Sequence, residues 1–141
     1  MNSKWMEKAI ALARRAFRED EVPVGAIIVY GDEIIGRGYN QREKKHNPLA
    51  HAEIMAITAA AKKIKSWRLT GCSLIVTLEP CPMCLAAIQQ ARMDKVIFGA
   101  RDPKGGALSL GYLLHEDQRI NHRFKVMYKE TEECGRLLRE F

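Results

Sequence analysis

His51-Ala52-Glu53 and Cys81-Pro82-Met83-Cys84 bring together the side chains that metal-assisted hydrolysis needs. A Cys-x-x-Cys pair in a reducing compartment belongs to a zinc cluster or, less often, to a redox site. A closed structural zinc takes four protein ligands, whereas a catalytic zinc takes three and keeps a position for water. Cys81, Cys84 and one histidine make three. Of His46, His51, His115 and His122, we single out His51 because Glu53 follows two residues on, at the start of an expected helix. Residues so placed both reach toward one end of the helix, where an imidazole can hold a metal while the carboxylate meets a water.

Cys81 and Cys84 repeat that arrangement. Three residues apart in the first turn of a second expected helix, they should share one face, and the helix dipole favours their thiolates. Two helix ends are thus expected to converge on one zinc per subunit. Zinc lowers the pKa of a water and orients the resulting hydroxide. Glu53 is the expected catalytic proton shuttle, which takes the water's proton and later gives it to the group that leaves. Alone, Glu53 reads as a solvated helix glutamate, and His-Ala-Glu recurs by chance. The weight comes from both motifs occurring in this order, each at a helix start.

The elements that must position these residues follow from periodicity. Met6, Ile10, Ala13 and Phe17 recur at helical spacing, predicting an amphipathic helix over 3–20 with Ser3 as its cap. Two β-branched runs, 24–30 and 33–39, predict a hairpin, and the polar stretch 40–48 predicts a surface loop. An Ala-rich helix is expected over about 50–65, then a strand at 72–78, a helix with Pro82 in its first turn that runs to about 92, and a strand at 95–100. Residues 102–106 read as a turn-rich loop and 108–118 are ambiguous. A fifth strand is expected at 123–128 and a closing helix at 131–141. Strands interleaved with helices, without a linker or repeat, predict a single α/β domain over 1–141. This would be a three-layer α/β/α sandwich around a mixed sheet of about five strands.

Composition sets the outer limits. The 141 residues are 47% hydrophobic, enough for one core, and 28% charged, as in an average globular protein. Twenty-three Lys and Arg against 17 Asp and Glu leave a net charge of +6, which suits a polyanionic partner without requiring one. The N-terminus carries no secretory apolar stretch, and the longest apolar runs are too short to span a bilayer, so a cytoplasmic protein is expected. There Cys72 and Cys134 read as small buried apolar side chains.

Beyond the two motifs, Glu21-Val22-Pro23-Val24-Gly25-Ala26, Asn47-Pro48-Leu49-Ala50, Thr77-Leu78-Glu79-Pro80, Gly99-Ala100-Arg101-Asp102-Pro103-Lys104-Gly105-Gly106, Asn121-His122-Arg123 and Glu133-Cys134-Gly135 run through nearly the whole chain. Together they resemble the bacterial tRNA-specific adenosine deaminases, a branch of the zinc-dependent cytidine and nucleobase deaminases. The resemblance implies a cytidine deaminase-like fold. It also implies deamination of the wobble adenosine in a tRNA anticodon stem-loop by a homodimer that takes the flipped base into a pocket at the zinc. By the same resemblance Asn40 contacts the bound nucleoside and the backbone around Ala52 and Cys81 borders the pocket, although Asn40 also reads as a turn residue.

Three departures bear on RNA binding. Asn47-Pro48-Leu49 stands where the family has Asp-Pro-Thr, Ala107-Leu108-Ser109-Leu110-Gly111 is bulkier than the family's loop, and the sequence stops at Phe141 where relatives continue into a basic turn. Lys44-Lys45, His122-Arg123 and Arg136 or Arg139 are candidate phosphate contacts, each with a solvated surface charge as the alternative. Two rival functions fit parts of the pattern: a deaminase of a free base or nucleoside such as guanine, cytosine or cytidine, and a non-catalytic RNA-binding domain with structural zinc.

Overall fold

A computed structural model describes residues 3–141. The first amphipathic pattern forms helix α1, Ser3–Arg18. It stops two residues short of the expected end, and Asp20 has left-handed backbone (φ 61°). The side chain of Ser3, the expected cap, lies outside the described residues. The hairpin forms as strands β1, Gly25–Tyr30, and β2, Glu33–Tyr39, with a register shift between Ile28 and Val29.

Residues 40–48 are not wholly loop. Arg42–Lys45 form a one-turn helix, α2. Its first N–H groups are met by side chains: Asn40 Oδ1 accepts from Arg42, and the buried Glu21 carboxylate accepts from Glu43 (3.0 Å) and Lys44 (2.7 Å). Glu21 lies more than twenty residues upstream, so no local pattern announces this turn.

Helix α3, Ala52–Ile64, leads to strand β3, Cys72–Val76. Helix α4, Pro82–Gln90, crosses to strand β4, Lys95–Phe98. The ambiguous stretch contains a 3-10 turn at Leu114–Glu116, followed by strand β5, Lys125–Tyr128, and helix α5, Glu132–Glu140. Expected ends are trimmed by one or two residues at most boundaries. For α4 the cause is visible, since Arg92 is left-handed (φ 61°) and cannot continue the helix.

The sheet order is β2-β1-β3-β4-β5. β1 pairs antiparallel with β2 and β3, while β3, β4 and β5 run parallel, so the expected mixed five-stranded sheet is present. Pleating divides the strand residues between two cores. Ala26, Ile28, Leu74, Val76 and Phe98 face α3 and α4. Ile27, Val29, Ile75 and Ile97 face α1 and α5, with Met6, Ile10 and Leu137. Helices cover both faces, giving the three layers. Each fully buried Leu, Ile or Phe contributes about 1.5–3 kcal/mol of transfer free energy.

One packing detail sets the site. A Cβ on Gly36 would lie 2.4 Å from the Ala56 carbonyl oxygen, and one on Gly38 would lie 2.3 Å from that of Ala52. Helix α3, with its small residues Ala52, Ala56 and Ala60 turned inward, therefore rests directly on the β2 backbone. Among the described residues no helix is long and apolar enough to cross a membrane.

Candidate active site

His51 and Cys81 each occupy the N-cap of a helix, His51 at φ −73°, ψ 154° before α3 and Cys81 at φ −73°, ψ 169° before α4. This corrects the expectation that both lie inside first turns. The cause at Cys81 is Pro82, whose ring disfavours helical backbone in the residue before it and is tolerated at the first helical position. Cys84 remains in the first turn of α4. Extended backbone at the two caps and one turn of helix bring the three side chains to a common point.

His51 Nδ1 lies 3.6 Å from Cys81 Sγ and 3.5 Å from Cys84 Sγ, and one ligand atom from each residue lies within 4.8 Å of the others. Tetrahedral zinc, with bonds of about 2.3 Å to sulfur and about 2.0–2.1 Å to nitrogen, separates such ligands by roughly 3.5 Å. The cluster fits one zinc ion, held through Nδ1 and two thiolates.

Its electrostatics agree with a thiolate-bearing site. The Cys81 sulfur, which accepts a hydrogen bond from Cys84, is held down to about 4, and the same shared proton pushes the Cys84 thiol up. His51 is raised, chiefly by its hydrogen bond to Cys81. Glu53, 4% exposed, has its carboxyl pushed up to about 7 by burial. A cleft of about 130 Å³ opens over these groups. Val22, Val24 and Leu78 supply apolar wall, while Asn40, Arg42, Glu79 and Asp102 supply polar edge.

Asn40 and Ala52, expected at the pocket from the resemblance, both line this cleft. Asn40 is also the turn residue of the alternative reading, because its amide donates to the Val22 carbonyl and accepts from Arg42. The basic residues divide. Lys44 pairs with Glu19 at 3.3 Å, and Arg136 is paired with Glu133 and Glu140. His122 Nε2 meets the Met93 carbonyl, and Arg123 lines a groove where β4 and β5 begin, away from the cleft.

Sequence reasoning missed Glu79. Its side chain, 2% exposed, accepts hydrogen bonds from the Asp102 N–H (3.0 Å), the Ser109 N–H (2.7 Å) and the Ser109 hydroxyl (2.7 Å). The Ala107 N–H adds a bond to the Pro80 carbonyl. The segment leading to Cys81 thereby ties down the loop that carries Asp102. The available signal was the position of Glu79 inside the cysteine motif, but its partners lie 23 and 30 residues away.

The model of the cytidine and deoxycytidylate deaminase zinc-binding region matches residues 1–100. The chain belongs to this deaminase family. Among deaminases it is similar to the tRNA-specific adenosine deaminase of Bacillus subtilis (strain 168), 45% identical over 138 residues that cover 97% of this chain and 86% of the relative. Similarity to that of Aquifex aeolicus (strain VF5) is 44% over 137 residues, covering 97% and 91%. A solved tRNA:A34 deaminase, studied for A-to-I editing at the wobble position of transfer RNA, superposes with a TM-score of 0.92 at 39% identity over 97% of this chain and 100% of the other. The resemblance carried by the motifs is met along nearly the full length.

Proposed function

We propose that this deaminase converts adenosine to inosine at the wobble position of a tRNA anticodon, with His51, Cys81 and Cys84 as zinc ligands and Glu53 as the proton shuttle. Residues 1–141 act as one domain, in a cytoplasmic homodimer. The observation that carries the reading is the pairing of a three-ligand cluster with a buried carboxyl at its edge, in a chain 45% identical to a tRNA-specific adenosine deaminase.

When bound, zinc supplies an activated hydroxide as nucleophile. The protein's own residues do the rest. Val22, Val24 and Leu78 give the purine a dry slot, and Asn40 offers an amide at its edge. Ala52, in the first turn of α3, presents one of the N–H groups that a helix leaves without an internal partner. Glu53 takes a proton from water and passes it to the ring nitrogen next to the amino-bearing carbon. The carbon–oxygen bond forms as that ring nitrogen is protonated, and the carbon–nitrogen bond then breaks as Glu53 carries the second proton of the water to the leaving ammonia, leaving a carbonyl. Water is consumed, and no oxidant or reductant is needed. Burial raises the Glu53 carboxyl above the ordinary range, which favours a group that gives a proton as well as takes one.

The test is to incubate zinc-loaded protein with an anticodon stem-loop carrying wobble adenosine and, in parallel, with free adenosine, cytidine, cytosine and guanine, scoring inosine and ammonia. Inosine formed in the RNA alone is expected. Ammonia from a free base or nucleoside alone would move the activity to small molecules. Silence everywhere, with zinc bound, would make the zinc structural. Sedimentation at assay concentration checks the dimer.

A further inference from the structure

Five cations gather at the end of the sheet opposite the cleft. Lys95 and Lys125 are register partners at the starts of β4 and β5, and with Arg123 they line an open groove of about 550 Å³. Its one lining carboxylate, Asp94, already accepts the Gly71 N–H at 3.0 Å. At the rim, the Arg68 and Arg92 guanidiniums lie 4.3 and 5.9 Å from the centroid of the Trp67 ring, which is 57% exposed. Backbone bonds from Leu69 to Ala91, Asp94 to Cys72 and Lys125 to Asp94 join these segments into one surface.

Among the described residues none of the five cations makes an ion pair. Arg92 and Arg123 donate only to backbone carbonyls, of Gln89, Gln90 and Ile120. Like charges placed directly opposite on neighbouring strands destabilise a sheet, and among the described residues no carboxylate forms an ion pair with Lys95 or Lys125. An external polyanion would offset them. An acidic protein could also neutralise the cations, but an exposed indole flanked by guanidiniums beside a row of cations is in addition the stacking platform that single-stranded nucleic acid takes.

We propose that this groove binds a second segment of RNA, with phosphates on Lys95, Arg123 and Lys125 and an unpaired base on Trp67. It thereby holds a part of the substrate remote from the reacting adenosine. The inference rests on the RNA reading of the function. It is tested with the zinc-loaded full chain carrying either K95Q/R123Q/K125Q or W67A, by measuring the binding of full-length tRNA and of a minimal anticodon stem-loop across a salt series, together with kcat/KM on the stem-loop.

The triple variant should bind full-length tRNA at least about tenfold more weakly, with a log–log salt slope shallower by about two to three. W67A should lose about tenfold with little change of slope. Stem-loop turnover should stay at the parent level in both, which also reports that they are folded. Unchanged tRNA affinity and slope would overturn the proposal. If binding to polyglutamate falls instead, the groove belongs to an acidic protein. Binding is read apart from deamination, so a chain that held tRNA through this groove yet deaminated no adenosine would overturn the function and leave the groove standing.

Discussion

Glu53 and Cys81 owe their chemistry to different causes within one cluster, burial for the first and hydrogen bonds from Cys84 and His51 for the second. Glu53 is almost wholly enclosed, and that holds its carboxyl near 7. Glu53→Gln keeps the shape but cannot carry a proton, so zinc content by atomic absorption should match the parent while kcat drops by about 10²–10⁴. Near-normal turnover would remove Glu53 from the mechanism. Cys81 is half-buried and held down to about 4. In metal-stripped protein it is therefore a thiolate throughout the range from pH 6 to 8, and its alkylation by iodoacetamide should be nearly flat there, whereas an ordinary thiol reacts faster with each rising unit. Cys134, buried and pushed up to about 11, should stay unlabelled. A Cys81 rate climbing with pH like that of a free thiol would contradict the hydrogen-bonded thiolate. The metal cluster and Glu53 were legible because their spacings are local, two residues and three. Glu79 and Glu21 were not, because a buried carboxylate that anchors a distant loop has the same sequence appearance as a solvated one.

At the scale of elements, periodicity located all five strands and the four longer helices, since burial on one face writes itself into a run of residues. The one-turn helix α2 and the 3-10 turn at Leu114–Glu116 escaped, being held by partners outside their own segments or too short to show a period. The placement of α3 also exceeds what a pattern reveals, because it depends on the close approach at Gly36 and Gly38. Gly38→Ala should press α3 away from β2, costing about 1–3 kcal/mol in urea unfolding and weakening zinc affinity, since His51 caps that helix. Loss of stability without loss of affinity would uncouple the helix from the site. Glu79→Gln makes a second test. Any orientation of the amide sets an NH₂ where the carboxylate accepts bonds from Asp102 and Ser109, so hydrogen exchange over 102–109 should quicken, with KM rising more than kcat falls. Unchanged exchange in that loop would deny Glu79 its anchoring role.

For the molecule as a whole, the two sequence motifs lie on either side of β3, the strand that joins the antiparallel half of the sheet to the parallel half. His51 precedes it and Cys81 follows it, 30 residues apart. An ion held between them is thus a cross-link in the topological sense. It closes a loop of that length, and a tie of this kind removes conformational freedom from the denatured chain worth about 3–4 kcal/mol. Chelation should lower the denaturation midpoint accordingly, and E53Q, with its ligands intact, should show the same drop. The ion that serves the reaction would then also limit how far the unfolded chain can stray, making metal supply a determinant of how long the protein survives as well as of how fast it works.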